Sequence, residues 1–200
     1  MPPEAPGYST KELTEKTLPD FERLFEKHPA PGAFMCWCMY HHQSSSSAAS
    51  EQQHSRVESA AINRKQKREL VKKGRSHGIL VYSKGEPVGW CQYGTMDELP
   101  RIDHDRSYRR LARESDAKRL WRITCFTVVT KYRERGVASA ALRAALAAIR
   151  RKGGGLVEAY PIIRRGAYRE YLGTVSMFQK EGFKIAAPFG KNNVVMRKSI

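Results

Sequence analysis

The sequence predicts an α/β protein in which helices flank a mixed central β-sheet. Three observations carry that reading. An apolar run, Trp121 to Val129, meets an alanine-rich helical run, Ala138 to Arg151, across a short basic turn. A strand that is apolar on both faces is one covered on both sides. Gly78 to Ser83 and Pro87 to Tyr93 flank Lys84-Gly85-Glu86 and read as a hairpin. A second apolar run, Leu156 to Tyr160, precedes a further helical segment and a closing pair of strands.

Taken in order, residues 1–17 read as a flexible polar tail and 18–200 as one domain. Leu18 to Lys27 carries Phe21, Leu24 and Phe25 at helical spacing, with Asp20 near the start, so a short amphipathic helix fits. Pro29 to Gly32 breaks the chain, and Ala33 to Tyr40 is compact and apolar, which predicts a strand. Ser44 to Ser47 marks a low-complexity loop. Glu51 to Lys73 is helix-forming but polar, and its basic end, Arg64 to Arg68, reads as a solvated face that also suits phosphate. Residues 95–119 lack a sustained period and read as an inserted excursion between strands. Trp121 to Thr130 is the central strand. In the helix after it, Leu142, Leu146 and Ile149 form the core stripe, and Arg150 to Gly155 is a stop signal with basic residues at the negative helix end. Tyr168 to Glu181 predicts a helix closed by Gly182-Phe183, followed by strands Phe183–Ala187 and Asn193–Lys198.

Two hundred residues suit one domain with a full core. No apolar run approaches the ~18 residues that cross a bilayer, and Met1 to Thr10 lacks a signal pattern, so a cytoplasmic protein without membrane attachment is expected. The net charge of +16 favours anionic partners. Cys36, Cys38, Cys91 and Cys125 lie in apolar segments and read as free thiols. Cys36, Cys38 and His42 would share one strand face, but a zinc site there lacks a fourth ligand, and no metal is expected. The six histidines offer no triad.

At the strand-to-helix turn, the first helical N–H groups have no internal partner and the helix dipole adds positive charge. Phosphate is the natural guest. Gly136 and Ala138 lack bulk, and Arg133 and Arg135 add charge, although the turn is neither a Walker loop nor a three-glycine dinucleotide pattern. The order Arg133-x-x-Gly136-x-Ala138 resembles the acetyl-CoA motif of the GCN5-related N-acetyltransferases (GNAT), which reads Gln/Arg-x-x-Gly-x-Gly/Ala. The hairpin at Glu86-Pro87-Val88-Gly89 and the later Phe178-x-x-x-Gly182-Phe183 fall in the family order, from about Ala33 to Lys198. Phrases such as Glu158-Ala-Tyr160-Pro161 look like a poorly characterised bacterial branch.

The resemblance implies a splayed sheet, open between the strand ending near Val129 and the strand Leu156–Tyr160. Acetyl-CoA would lie in that opening as co-substrate of an N-acetyltransferase. By family position, the backbone of Phe126 and Val128 meets the pantetheine arm and thioester. The amides of Arg135, Gly136, Val137, Ala138 and Ser139 hold the pyrophosphate, with Arg133 alongside. Transfer to a primary amine, of a small molecule or a protein, then proceeds by direct attack in a ternary complex. Cys91 and Cys125 need not be nucleophiles.

Glu158, a lone carboxylate in an apolar strand, is the sequence candidate for general base. The alternatives are that it pairs with a core arginine such as Arg122 or anchors the amine. Where the family often has an acidic tyrosine, this chain has Phe178. Tyr160 and Tyr171 are the substitutes, and a mechanism without an acid is also open. The net charge argues against polycationic amine substrates unless Asp97, Glu98, Asp103 and Asp105 make a local acidic mouth. Two other readings stand beside the enzyme. One is a basic RNA- or ribosome-associated protein using Arg64–Arg75 and Arg101–Arg122, with Tyr108 as a stacking ring; nucleic acid is admitted by the charge but not favoured. The other is a CoA-binding sensor without catalysis, suggested by Phe178. The oligomeric state is left open to a homodimer.

Overall fold

The computed structural model describes residues 7–27, 36–43, 55–111, 119–163 and 170–200. Its frame is a seven-stranded sheet in the order β1-β2-β3-β4-β5-β7-β6. The strands are β1 (Ser9–Glu12), β2 (His77–Ser83), β3 (Glu86–Thr95), β4 (Leu120–Val128), β5 (Leu156–Ala159), β6 (Lys184–Phe189) and β7 (Asn193–Ser199). Every neighbouring pair is antiparallel except β4 and β5, which run parallel. A parallel pair needs a crossover, and α4 (Val137–Arg151) supplies it.

Adjacent residues of a strand face opposite sides of the sheet, which shows how the helices cover it. Trp90 of β3 packs edge-on against Phe21 of α1 (Leu18–Lys27), with ring centroids 4.8 Å apart. Its neighbour Gly89 faces α4. A Cβ there would stand 2.3 Å from Val137 Cγ1, so only glycine lets the start of α4 sit on β3. α2 (Arg56–Lys72) opens on a Ser55/Glu58 capping box. Glu22 of α1 ties it down, accepting from Arg68 Nε at 2.5 Å and Arg64 Nη2 at 2.7 Å. Burial opposes ionisation of that carboxyl, but the two guanidiniums outweigh it and hold its pKa down to about 2. The expected solvated basic face is therefore corrected: Arg64 and Arg68 pair with Glu22, and Lys67 is 1% exposed.

Three further expectations change. Part of the tail forms an edge strand, since β1 pairs in register with β2 from Ser9↔Tyr82 to Glu12↔Ile79. Of the strand expected over Ala33–Tyr40, the described part, Cys36 to Tyr40, continues through Gln43 as tight turns, with Met39 N–H on Cys36 O and His42 N–H on Met39 O. Trp37 and Cys38 both take left-handed φ values, 46° and 52°, which no strand contains. The helix expected over Tyr168–Glu181 is a 3₁₀ turn, Glu170–Leu172, and a separate helix α5 (Val175–Lys180) capped by the Thr174 side chain. The excursion at 95–119 holds a 3₁₀ turn, Pro100–His104, and one turn of helix, α3 (Arg106–Arg109), where it is described. The Ser44–Ser47 loop and Pro29–Gly32 lie outside the described residues. Among the described residues no helix is long and apolar enough to cross a membrane.

Candidate active site

β4 has one complete edge and one incomplete edge. Toward β3 it pairs as far as Gly89↔Val128; toward β5 the pairing ends at Ile123↔Ala159. A bulge at Thr124, where Gln92 opposes Cys125 and Tyr93 opposes Ile123, bends the strand at that point. Thr124 to Val128 thus borders an opening on the β5 side. Val129 N–H donates to Val88 O at 3.0 Å, toward β3. Successive strand N–H groups point to opposite edges, so those of Val128 and Phe126 point into the opening. The expected splay of the sheet is present, with these two N–H groups on its open side.

The strand leads into a 3₁₀ turn, Thr130–Tyr132, and then to the start of α4. Gly136 is the helix N-cap at φ +83°. A Cβ there would touch nothing within 4 Å, so conformation rather than space requires glycine. No side chain caps this end, and the first intrahelical bond is Ala140 N–H to Gly136 O. The N–H groups of Val137, Ala138 and Ser139 therefore lack intrahelical acceptors. Val137 is buried against Gly89, whereas Arg133, Arg135 and Gly136 are exposed. The result is a helix end with no side-chain cap and two exposed flanking guanidiniums, at the end of an open strand edge.

Glu158 sits deeper, in the closed half of the sheet, and is fully buried. Its carboxylate accepts from Tyr108 Oη (2.5 Å), Tyr160 Oη (2.9 Å) and Arg197 Nε (2.8 Å). The arginine is its β7 register partner Arg197, not Arg122. Arg122 instead holds Asp103 through two bonds of 2.8 Å and donates to Leu99 O at 2.7 Å. Burial pushes the phenols of Tyr160 and Tyr108 up, so both stay protonated and donate. This cluster fastens the 95–111 excursion to the sheet. Tyr108, the expected stacking ring, is 3% exposed within it. The acidic mouth does not assemble either: Asp97 pairs with Arg75, Glu98 with His77 and Asp103 with Arg122, while Asp105 caps α3.

Tyr160 and Tyr171 are thus separated by environment. Tyr160 is buried on Glu158. Tyr171 is partly exposed in the 3₁₀ turn that packs against β4 where β5 has departed. Phe178 lies in an apolar cluster, edge-on to Phe126 (6.0 Å) and Phe183 (5.1 Å). Sequence reasoning missed Gln92 and did not bring Lys67 and His42 to it; the structure places Lys67 Nζ 3.4 Å and Gln92 Nε2 3.0 Å from His42 Nε2. The one available signal was a lysine and a glutamine within otherwise apolar or helical stretches. All four cysteines are free thiols; Cys38 and Cys91 are buried, Cys36 and Cys125 partly so. No group of three or more His, Cys, Asp or Glu is gathered to hold a metal among the described residues.

The family model for the Acetyltransferase (GNAT) family matches residues 37–173. Similar solved structures include an acetyltransferase from Thermus thermophilus, at 14% identity over 99% of this chain and 100% of that one, with a TM-score of 0.53. A ribosomal-protein-S5-alanine acetyltransferase from Vibrio fischeri matches at 11% identity over 98% and 94%, TM-score 0.55. A PaiA N-acetyltransferase from Thermoplasma acidophilum, solved with coenzyme A, matches at 12% identity over 96% and 99%, TM-score 0.53. Likenesses at such identities establish the fold. No curated protein matches the sequence.

Proposed function

Because the chain belongs to the GNAT acetyltransferase family, we propose that it moves an acetyl group from acetyl-CoA to a primary amine, with both bound at once. The observation that carries this reading is the open edge of β4 running directly into the uncapped start of α4. An extended amide-bearing arm needs strand N–H groups without partners, and a diphosphate needs helix N–H groups without acceptors. Both lie here in sequence. Phe126 and Val128 bind the arm. The amides from Arg135 to Ser139 take the pyrophosphate, and Arg133 and Arg135 add charge. Acetyl-CoA, when bound, supplies the acyl group already activated as a thioester.

The remaining chemistry falls to the chain. Holding the amine beside the acyl carbon is the largest contribution this site offers. The Val128 N–H aims at the position where negative charge develops on oxygen. Tyr171 is the acid candidate, since it borders the open stretch of β4, whereas Tyr160 already donates to Glu158. Glu158 has three donors and no exposure, which supports pairing over proton transfer. Four free thiols suit a reducing compartment, so we place the protein in the cytoplasm.

Titration calorimetry with acetyl-CoA, followed by thiol release over a panel of small and peptide amines, tests the reading. Binding that weakens on Gly136→Val and turnover of at least one amine are expected. A folded chain without affinity for acetyl-CoA refutes it.

A further inference from the structure

The turn at 36–43 contains two consecutive non-glycine residues in the left-handed region, Trp37 and Cys38. Such conformations cost about 1–2 kcal/mol each and persist where surrounding contacts enforce them. The contacts here converge on Cys38. Its carbonyl accepts from Gln92 Nε2 at 2.7 Å and from Lys67 Nζ at 3.3 Å. Its sulfur accepts from Trp90 Nε1 at 3.2 Å and lies 3.4 Å from Cys125 Sγ. Gln92 is itself held by Thr124 Oγ1 at 3.0 Å, and Lys67 by Ser76 Oγ at 2.9 Å. Acetyl transfer as proposed uses none of these groups. Cys125, one residue before Phe126, is partly exposed on the open half of β4.

We propose that Cys38 and Cys125 are a redox pair, which a hydroperoxide converts to a disulfide joining the 36–43 turn to the open half of β4. Burial opposes ionisation of Cys38, but the Cys125 S–H, the Lys67 charge and the Trp90 N–H outweigh it and hold this thiol below its ordinary range. Burial pushes Lys67 down to about 8 and Cys36 up to about 11, so Cys36 stays a thiol. The Cys38 thiolate attacks one peroxide oxygen; S–O forms, O–O breaks, and the departing oxygen takes the proton that Cys38 gave up and leaves as alcohol or water. The Cys125 sulfur then attacks the sulfenic sulfur; S–S forms, S–O breaks, and the hydroxyl leaves with the Cys125 proton as water. Two thiols lose two electrons and one peroxide gains them. From 3.4 Å the sulfurs close by roughly 1.4 Å to reach the bond length of about 2.05 Å. A second thiol exchanges with the bridge and restores the pair. The consequence for activity rests on the acetyl-transfer reading: the bridge stiffens the wall beside Phe126 and slows turnover.

The test treats the reduced full chain with hydrogen peroxide, alkylates the remaining thiols and maps the peptides by mass spectrometry. A Cys38–Cys125 linkage lacking two hydrogens, with Cys36 and Cys91 alkylated and full reversal by dithiothreitol, is expected. Cys38→Ser and Cys125→Ser each abolish it, and Cys91→Ala leaves it intact. Hydrogen exchange over 36–43 slows on oxidation, and amine turnover falls by about tenfold or more, as for a restrained active-site loop. Linkage of Cys36 to Cys38, bridges between molecules, or over-oxidation without a bridge overturns the pairing. A bridge with unchanged turnover overturns its effect on activity. A bridge in a chain that never binds acetyl-CoA leaves the pairing standing and sinks the acetyl-transfer reading.

Discussion

Replacing Glu158 with glutamine separates a structural carboxylate from a catalytic one. The side chain keeps its shape, and its remaining oxygen still accepts from Tyr108 and Tyr160. Its new NH2 group then faces Arg197 Nε, a donor against a donor, where a 2.8 Å ion pair stood. Breaking a buried pair by neutralising one partner costs about 3–5 kcal/mol. For a chain of this size that lowers Tm by roughly 6–20 °C. A general base removed from the reaction would instead cost roughly 10²–10⁴ in kcat. Calorimetric melting and steady-state kinetics on Glu158→Gln, well below its Tm, read the two quantities independently. The expected result is a large loss of Tm with kcat within about tenfold of the parent. A variant that melts at the parental temperature, binds acetyl-CoA equally well and turns over more than about 100-fold slower would refute the structural assignment.

Gly136→Val should weaken acetyl-CoA binding about 5- to 30-fold by calorimetry, from the roughly 1–2 kcal/mol cost of a left-handed non-glycine N-cap. Gly89→Ala forces a methyl group toward Val137 and should cost about 1–3 kcal/mol in denaturant unfolding, with weaker acetyl-CoA binding as the start of α4 shifts. Tyr171→Phe should lower kcat roughly 10- to 100-fold while leaving acetyl-CoA affinity unchanged, because a thiolate leaves tolerably without full protonation. Glu22→Gln should cost about 2 kcal/mol at pH 7, discounted because Arg68 is half exposed. Since folding depresses the Glu22 pKa from 4.5 to about 2, its contribution is complete above pH 4.5 and fades toward pH 2. Urea unfolding of variant and parent should converge over that window.

The fold was legible where local pattern and tertiary demand agree. The β2–β3 hairpin has its turn residues between two apolar runs, and Gly136 stands where a strand must reverse into a helix. Legibility failed where burial comes from distant partners. Cys36 to Tyr40 is apolar enough for a strand, yet Gln92, Lys67 and Trp90 hold Cys38 in a turn that no window of neighbours encodes. Ser9 to Glu12 is polar because an edge strand needs one covered face and a ladder, not an apolar run. The helix expected to Glu181 is interrupted because Thr174 caps a new one, and Gly173 brings the chain close to Met177 and Phe126. At the site, the glycine turn was readable in the residues, while the open strand came only with the family resemblance. The partners of Glu158 were not readable, since Tyr108 and Arg197 arrive from elements 50 and 39 residues away.

That division between a readable open edge and an unreadable clamp has a physical origin. β4 and β5 can diverge only if something holds them together below the divergence and something prevents pairing above it. Pro161 lacks an N–H, and Ile162 bonds instead to Gly173 O and lies bridged to Thr174 and Asn193, so the chain after β5 is turned away from β4. The Thr124 bulge bends β4 at the same level. Below it, Glu158 joins β5 to β7 through Arg197 and to the excursion through Tyr108, while Arg122 joins β4 to Asp103 and Leu99 O. The buried charges therefore act through shape. They keep the lower half of the sheet closed so that the upper half, with Phe126 and Val128, can stay open.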